Sequence, residues 1–123
     1  MQGPIDTLSE ADESVLKEAM TNEFRRAFMA HIQKHKTAFA DIVRETGVSR
    51  NVLNKLKARE DGSTSVENGM LIAAFYGKTL NEFVAMQEAT DESRVRALLQ
   101  LLTPTERHIL ESQIKGILNS RQN

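Results

Sequence analysis

The 123-residue sequence predicts an all-α protein. Three observations lead there. Apolar residues recur at helical spacing in one segment after another, and no stretch alternates apolar with polar residues as a half-buried strand would. Ser or Thr precedes several of these segments and Gly follows some of them, which is how helices start and stop. Of only two prolines, one stands where a helix would begin, at Pro104. The length allows one domain, or one small domain with helical extensions.

Thr7 and Ser9 are both candidate N-caps for the first helix. Apolar residues then follow at Ala11, Val15, Ala19, Met20, Phe24, Ala27, Phe28, His31 and Ile32, a single stripe at helical period. Thr21-Asn22 divides the stripe into an acidic helical extension, residues 1–21, and a helix running to about Lys36. Thr37 is expected to cap a short helix over 38–46 that turns Phe39, Ile42 and Val43 inward, with Gly47 closing it in the left-handed conformation. Ser49 caps the next helix, Arg50 to about Arg59, whose apolar side is Val52, Leu53 and Leu56. EDGSTS, residues 60–65, is a loop. Ser65 caps a helix over 66–76 expected to bury Met70, Leu71, Ile72 and Phe75. Gly77 ends it, and Thr79 caps a last short helix holding Leu80, Phe83, Val84 and Met86.

A different region follows. Asp91 to Leu102 is amphipathic, and TPTE then places Thr103 as N-cap, Pro104 at the first helical position and Glu106 as return partner, a capping box. The final helix runs to about Asn119. Joined by a tight turn, these two helices are expected to form a C-terminal helical hairpin over 88–123. Its apolar residues, Leu98, Leu99, Leu102, Ile109, Leu110, Ile114, Ile117 and Leu118, need cover from the body or from a second copy.

The formal net charge of −1 conceals a strong asymmetry: residues 1–24 carry −5, 25–59 carry +7, 60–93 carry −6 and 94–123 carry +3. The basic block is a candidate footprint for a polyanion; the plainer alternative is a solvated helix face. No cysteine is present, so disulfides and thiolate zinc sites are out, in keeping with a reducing cytoplasm. The acidic N-terminus does not read as a signal peptide, and no run reaches the roughly 18 apolar residues of a membrane span. His31 and His35 share a helix face but lack a third ligand, so no metal and no cofactor is expected. Ser14 to Lys17 matches SxxK in isolation. Without a Gly-rich phosphate loop or a paired-carboxylate cleft, the sequence reads as a non-enzyme.

ETGVSRNVLNKLKA, residues 45–58, breaks one short helix at a glycine and restarts another at once. Neither piece is long enough to be stable alone, so the glycine makes a fixed elbow from which the second helix presents Ser49, Arg50, Asn51, Asn54, Lys55 and Lys57. That is the pattern of a helix-turn-helix, whose second helix enters the DNA major groove. Arg can grip guanine and Asn adenine with two hydrogen bonds each.

FADIVRETGVSRNVLNKLKA, residues 39–58, resembles the helix-turn-helix of the phage repressor and Cro group, the XRE family, with Ile42, Val48, Leu53 and Leu56 at the motif's apolar positions and Gly47 at its turn. STSVENGMLIAAFYGKTLNEFV, residues 63–84, resembles the family's fourth and fifth helices, so the likeness spans about 22–86. The sequence departs from the family at Val43, where a smaller residue is usual, and at Phe39, where Gln often touches the DNA backbone. It also departs after the motif, where Arg59-Glu60-Asp61-Gly62 replaces a tight glycine turn.

The resemblance implies a five-helix lambda-repressor-like DNA-binding domain over 22–87 and a sequence-specific regulator of transcription, with repression favoured because occupying a promoter needs no further machinery. It assigns Arg50, Asn51 and Lys55 to base edges and Ser49 and Asn54 to bases or phosphates. Lys36, Thr37, Lys57, Arg59 and Ser65 are assigned to phosphates. One recognition helix covers only about four or five base pairs, so a homodimer on a palindromic operator is expected, its half-sites about 34 Å apart. The hairpin residues would make the dimer contact. The alternative is a helix-turn-helix antitoxin or adaptor whose main partner is another protein.

Overall fold

Seven helices follow one another in the described residues, 22–59 and 62–121 of the computed structural model. They are α1 (Phe24–His35), α2 (Phe39–Thr46), α3 (Arg50–Ala58), α4 (Val66–Phe75), α5 (Leu80–Val84), α6 (Asp91–Leu101) and α7 (Pro104–Arg121), with no strand among the described residues. The acidic extension expected over 1–21 lies outside the described residues. None of these helices is long and apolar enough to cross a membrane.

Local chemistry sets most of the boundaries. Ser49, Ser65 and Thr79 cap α3, α4 and α5, each hydroxyl accepting from an amide three residues on, and Thr79 with Glu82 completes a capping box. Gly47 adopts φ 78°, the left-handed turn expected of it, and Gly77, expected to end α4, is left-handed too at φ 73°. One cap is a correction. α2 starts at Phe39 behind Ala38, without a side-chain cap. The Thr37 hydroxyl instead accepts a 2.9 Å hydrogen bond from the Tyr76 phenol, 39 residues away.

The core gathers Phe24, Phe28, Ile42, Val48, Leu53, Leu56, Ile72, Ala73 and Phe83. Helix α4 lies at its middle: α2, α5 and α6 all pack against it, while α1 packs on α3 and α5. This changes which α4 residues are buried. Gly69, Ile72, Ala73 and Ala74 are inside, and Met70, expected inside, is 36% exposed. Helical periodicity assumes one covered face; a helix covered on several sides buries small residues, because only these let neighbouring backbones approach.

His31 is fully buried among aromatic rings, stacked on Phe83 at 4.0 Å between centroids and tilted against Tyr76 at 4.9 Å. Its Nδ1 lies 2.7 Å from the Ala27 carbonyl and its Nε2 2.9 Å from the Lys78 ammonium, itself only 8% exposed. A carbonyl needs a donor and an ammonium needs an acceptor, so the two partners together select the neutral tautomer protonated at Nδ1.

The C-terminal region departs from expectation in two ways. Helix α6 belongs to the body rather than to a separate hairpin: it lies along α4 and buries Ser93 and Ala97. Thr90 starts it with a capping box to Ser93. Helix α7 does not fold back. Leu102 is extended (φ −79°, ψ 146°), Thr103 caps the restart, and no residue of α7 is buried. No described helix lies along it, and Arg107 Nε donating to the Leu99 carbonyl marks the elbow. The face α6 turns to α4 is not the one carrying Leu98 and Leu99, which stay on its outward side.

Burial lowers the His31 pKa below its usual value near 6.5, against the opposing bond to Ala27 and with help from the Lys78 charge. The unfolded chain therefore takes up a proton at a pH where the folded chain does not, so stability is present above pH 6.5 and falls as pH drops below it. Thermal melts between about pH 7.5 and 5.5 should show the midpoint falling with acidity in the wild type. A midpoint that does not move over this range would count against the buried neutral imidazole.

Candidate nucleic-acid interface

Helix α3 is attached to the body by Leu53 and Leu56, both fully buried, with Val52 half-buried beside them. A turn of 100° per residue then decides the outward order. Asn51, Asn54 and Ala58 lie opposite the anchoring residues, Arg50 and Lys57 flank that row on one side, and Lys55 flanks it on the other. All six are exposed. The helix contains no acidic residue, although the chain has 17. It is therefore a short cationic rod with an amide-bearing ridge.

The elbow holds the N-terminal end of this rod. Gly47 caps α2 with its amide on the Val43 carbonyl, Thr46 Oγ1 donates to the Ile42 carbonyl and accepts from the Val48 amide, and Val48 is buried between the two helices. Ser49 is extended and its Oγ accepts from the Val52 amide at 3.3 Å, so it caps α3 while remaining exposed.

The Phe39 ring is half-buried, 5.9 Å from Phe28 on its inner side, with the Lys57 ammonium 5.9 Å from its centroid. The ring thus guides Lys57 toward the start of α2, a cation–π contact that aims the side chain without neutralising it. The start of α2 has no side-chain cap; the Asp41 amide bonds the Ala38 carbonyl at 3.1 Å, and this is the positive end of the helix dipole.

The remaining expected positions are distributed over three segments. Lys36 is the C-cap of α1, exposed and left-handed at φ 50°, ψ 46°. Thr37 is half-buried with its oxygen accepting from Tyr76, which leaves its own proton to donate. Arg59 is extended and exposed just past α3. Ser65 is exposed and caps α4. The structure joins Lys57 to the beginning of α2 and places Arg50, Asn51, Asn54 and Lys55 on one nine-residue helix.

The apolar residues expected to form a dimer contact are on two helices. Leu98 (65% exposed) and Leu99 are on the outward side of α6. Ile109, Ile114, Ile117 and Leu118 are exposed on α7, Leu110 is half-buried, and Leu102 is half-buried at the elbow. The α7 residues form one continuous stripe, with Ser112, Lys115 and Asn119 on the opposite side.

Three features escaped sequence reasoning. Arg25 donates from Nε to the Leu56 carbonyl at 2.8 Å and from Nη2 to the Lys57 carbonyl at 3.0 Å. Gly62, in the loop that replaces a tight glycine turn, packs on the end of α3 so closely that a Cβ would meet the Lys55 oxygen at 2.6 Å. Lys78 reaches inward to His31. No local pattern announces the first or third, whose partners are more than 30 residues away; the second was legible only as a glycine in a loop.

His31 and His35 do stack, with centroids 6.2 Å apart, but both ring nitrogens of His31 are already engaged. Among the described residues no three ligating side chains converge on one point. Comparison with protein-family models, with curated proteins and with solved structures found no match to this chain.

The left-handed conformation at Lys36 costs a residue with a Cβ about 1 kcal/mol that glycine does not incur. Lys36→Gly should raise the urea midpoint correspondingly. A lower midpoint would mean that the lysine stem contributes packing that outweighs its backbone strain.

Proposed function

We propose that this chain is a helix-turn-helix protein of the phage repressor and Cro type, in which α1 to α5 form a lambda-repressor-like domain. It binds double-stranded DNA as a homodimer and regulates transcription by occupying its site. The observation that carries this reading is the outward side of α3. It is fixed to the core by two buried leucines, free of acidic residues, ridged with asparagines and flanked by Arg50, Lys55 and Lys57.

A helix so exposed and so charged fits a groove about 12 Å wide whose walls are phosphate. In this arrangement Asn51 and Asn54, at the centre of the ridge, meet base edges, and Arg50 reaches a base from the flank. Lys57 meets phosphate alongside the uncapped start of α2, with Lys55 on the opposite flank. Asn54 moves from a shared role to a central one because of its position in the row. Lys36, Thr37, Ser65 and Arg59 supply further backbone contacts, which position the helix without reading sequence.

One nine-residue helix covers too few base pairs for useful specificity, so a two-fold partner is required. The stripe of Ile109, Leu110, Ile114, Ile117 and Leu118 is the supporting surface. Isoleucine and leucine, nearly all exposed, along about three turns are costly in water, and a two-fold interface needs only the same stripe on a second copy. Repression requires nothing beyond occupancy.

Selection of bound duplexes from a random pool tests the reading. The wild type should enrich a palindrome. Arg50→Ala, Asn51→Ala and Asn54→Ala should each lose about 1–3 kcal/mol of discrimination at particular base pairs. Lys57→Ala should instead weaken all duplexes alike and reduce the salt slope by about 0.9. A pool that enriches nothing at moderate salt would defeat the proposal.

Sedimentation addresses the dimer separately. Ile114→Glu with Ile117→Glu should convert a dimer to a monomer while leaving the helical content of the body unchanged. An unaltered mass would assign the stripe to another protein and favour an antitoxin or adaptor role.

A further inference from the structure

We propose that Arg25 is a positioning residue for DNA reading: its guanidinium holds the C-terminal turn of α3 and so sets the angle at which Asn51 and Asn54 meet the groove. This rests on the DNA-binding function proposed above, but its structural half stands without it. The last four carbonyls of any helix lack partners within it. In α3 these belong to Lys55, Leu56, Lys57 and Ala58. The Lys55 oxygen accepts from the Arg59 amide at 3.2 Å. Those of Leu56 and Lys57 both accept from Arg25, through Nε and Nη2.

The fork matters more than the charge. Two consecutive carbonyls at a helix end point the same way and are spaced for two parallel N–H groups, which a planar guanidinium supplies and an ammonium does not. A cation at this end is also favoured by the helix dipole. The anchor of the fork is firm: Arg25 follows Phe24, which is fully buried and tilted against Phe83 at 5.1 Å between centroids. Arg25 thus ties α3 to α1, on the side away from the Gly47 elbow. Gly62 closes the same end from a third direction, with its amide on the Arg59 carbonyl at 2.9 Å.

Without the fork, α3 keeps its elbow and its two leucines but loses the contact that fixes its far end. Its outward ridge could then tilt relative to the body. Phosphate contacts tolerate such tilt, because long lysine and arginine side chains follow it. Paired hydrogen bonds to a base edge do not. The inference is therefore specific: loss of Arg25 should reduce discrimination more than it reduces binding.

The test uses the full chain with Arg25→Met, which keeps the stem, and Arg25→Lys, which keeps the charge. Two probes are needed: the duplex selected by the wild type and a random-sequence duplex of equal length. In the free Met variant, amide hydrogen exchange of Lys57, Ala58 and Arg59 should rise roughly tenfold while that of Ile72 to Ala74 stays unchanged. Affinity for the selected duplex should fall roughly tenfold, that for the random duplex by less than about twofold, with an unchanged salt slope. The Lys variant should not restore either property.

Three results would overturn the proposal. A salt slope reduced by about 0.9 would make Arg25 a direct phosphate contact. Full rescue by lysine would make it a charge effect alone. Unchanged exchange at the end of α3, or exchange raised throughout α4 as well, would remove the local clamp. A wild type that selects no duplex would refute the DNA function, and with it the functional half of this inference, while the exchange measurement alone would still decide whether Arg25 holds α3.

Discussion

Nine residues cannot sustain a helix in water, so α3 persists only because its surroundings hold it. Three kinds of contact do so. Leu53 and Leu56 are drawn into the core, each burial contributing about 1.5–3 kcal/mol. The Gly47 turn and the Ser49 cap define where the helix starts. Arg25 and Gly62 close its far end. None of these contacts uses the outward side of the helix. A surface with no structural duty is free to carry Arg50, Asn51, Asn54, Lys55 and Lys57.

The core that does this holding is small, and polar groups make up part of it. His31 stands where an aromatic residue would be unremarkable, yet its ring reaches from the Ala27 carbonyl to the Lys78 ammonium. The Tyr76 phenol, packed against the same ring, extends the connection to Thr37 at the entry to α2. One buried constellation therefore links α1, the end of α4 and the segment before α2. Such groups specify a single packing more strictly than apolar residues would, since a shifted helix would strand a buried donor or acceptor.

What was legible in the sequence was local. The Ser49, Ser65 and Thr79 caps and the Gly47 and Gly77 turns involve residues within a few positions of each other, and all five are found as read. So is the all-helical class, which follows from period and composition. What was illegible depended on distant partners. Thr37 read as a cap because nothing nearby reveals that Tyr76 will bond its hydroxyl. Met70 read as core because periodicity assigns one inner face, whereas α4 is surrounded and buries Gly69, Ala73 and Ala74. The hairpin was inferred from a tight turn between two apolar helices, but α6 is already committed to α4. Of the candidate interface, the exposure of the α3 residues was legible from their spacing. Arg25 was not, because its partners lie 31 and 32 residues along the chain.

Helix α7 joins α6 at a two-residue elbow, where Arg107 bonds the Leu99 carbonyl, and buries none of its residues. None of the residues buried under α3 lies on α7. The chain is divided into parts that can change independently over generations. On the function proposed above, a lineage can alter the companion kept through α7 while the message read by α3 is preserved, or alter the message while the companion stays the same.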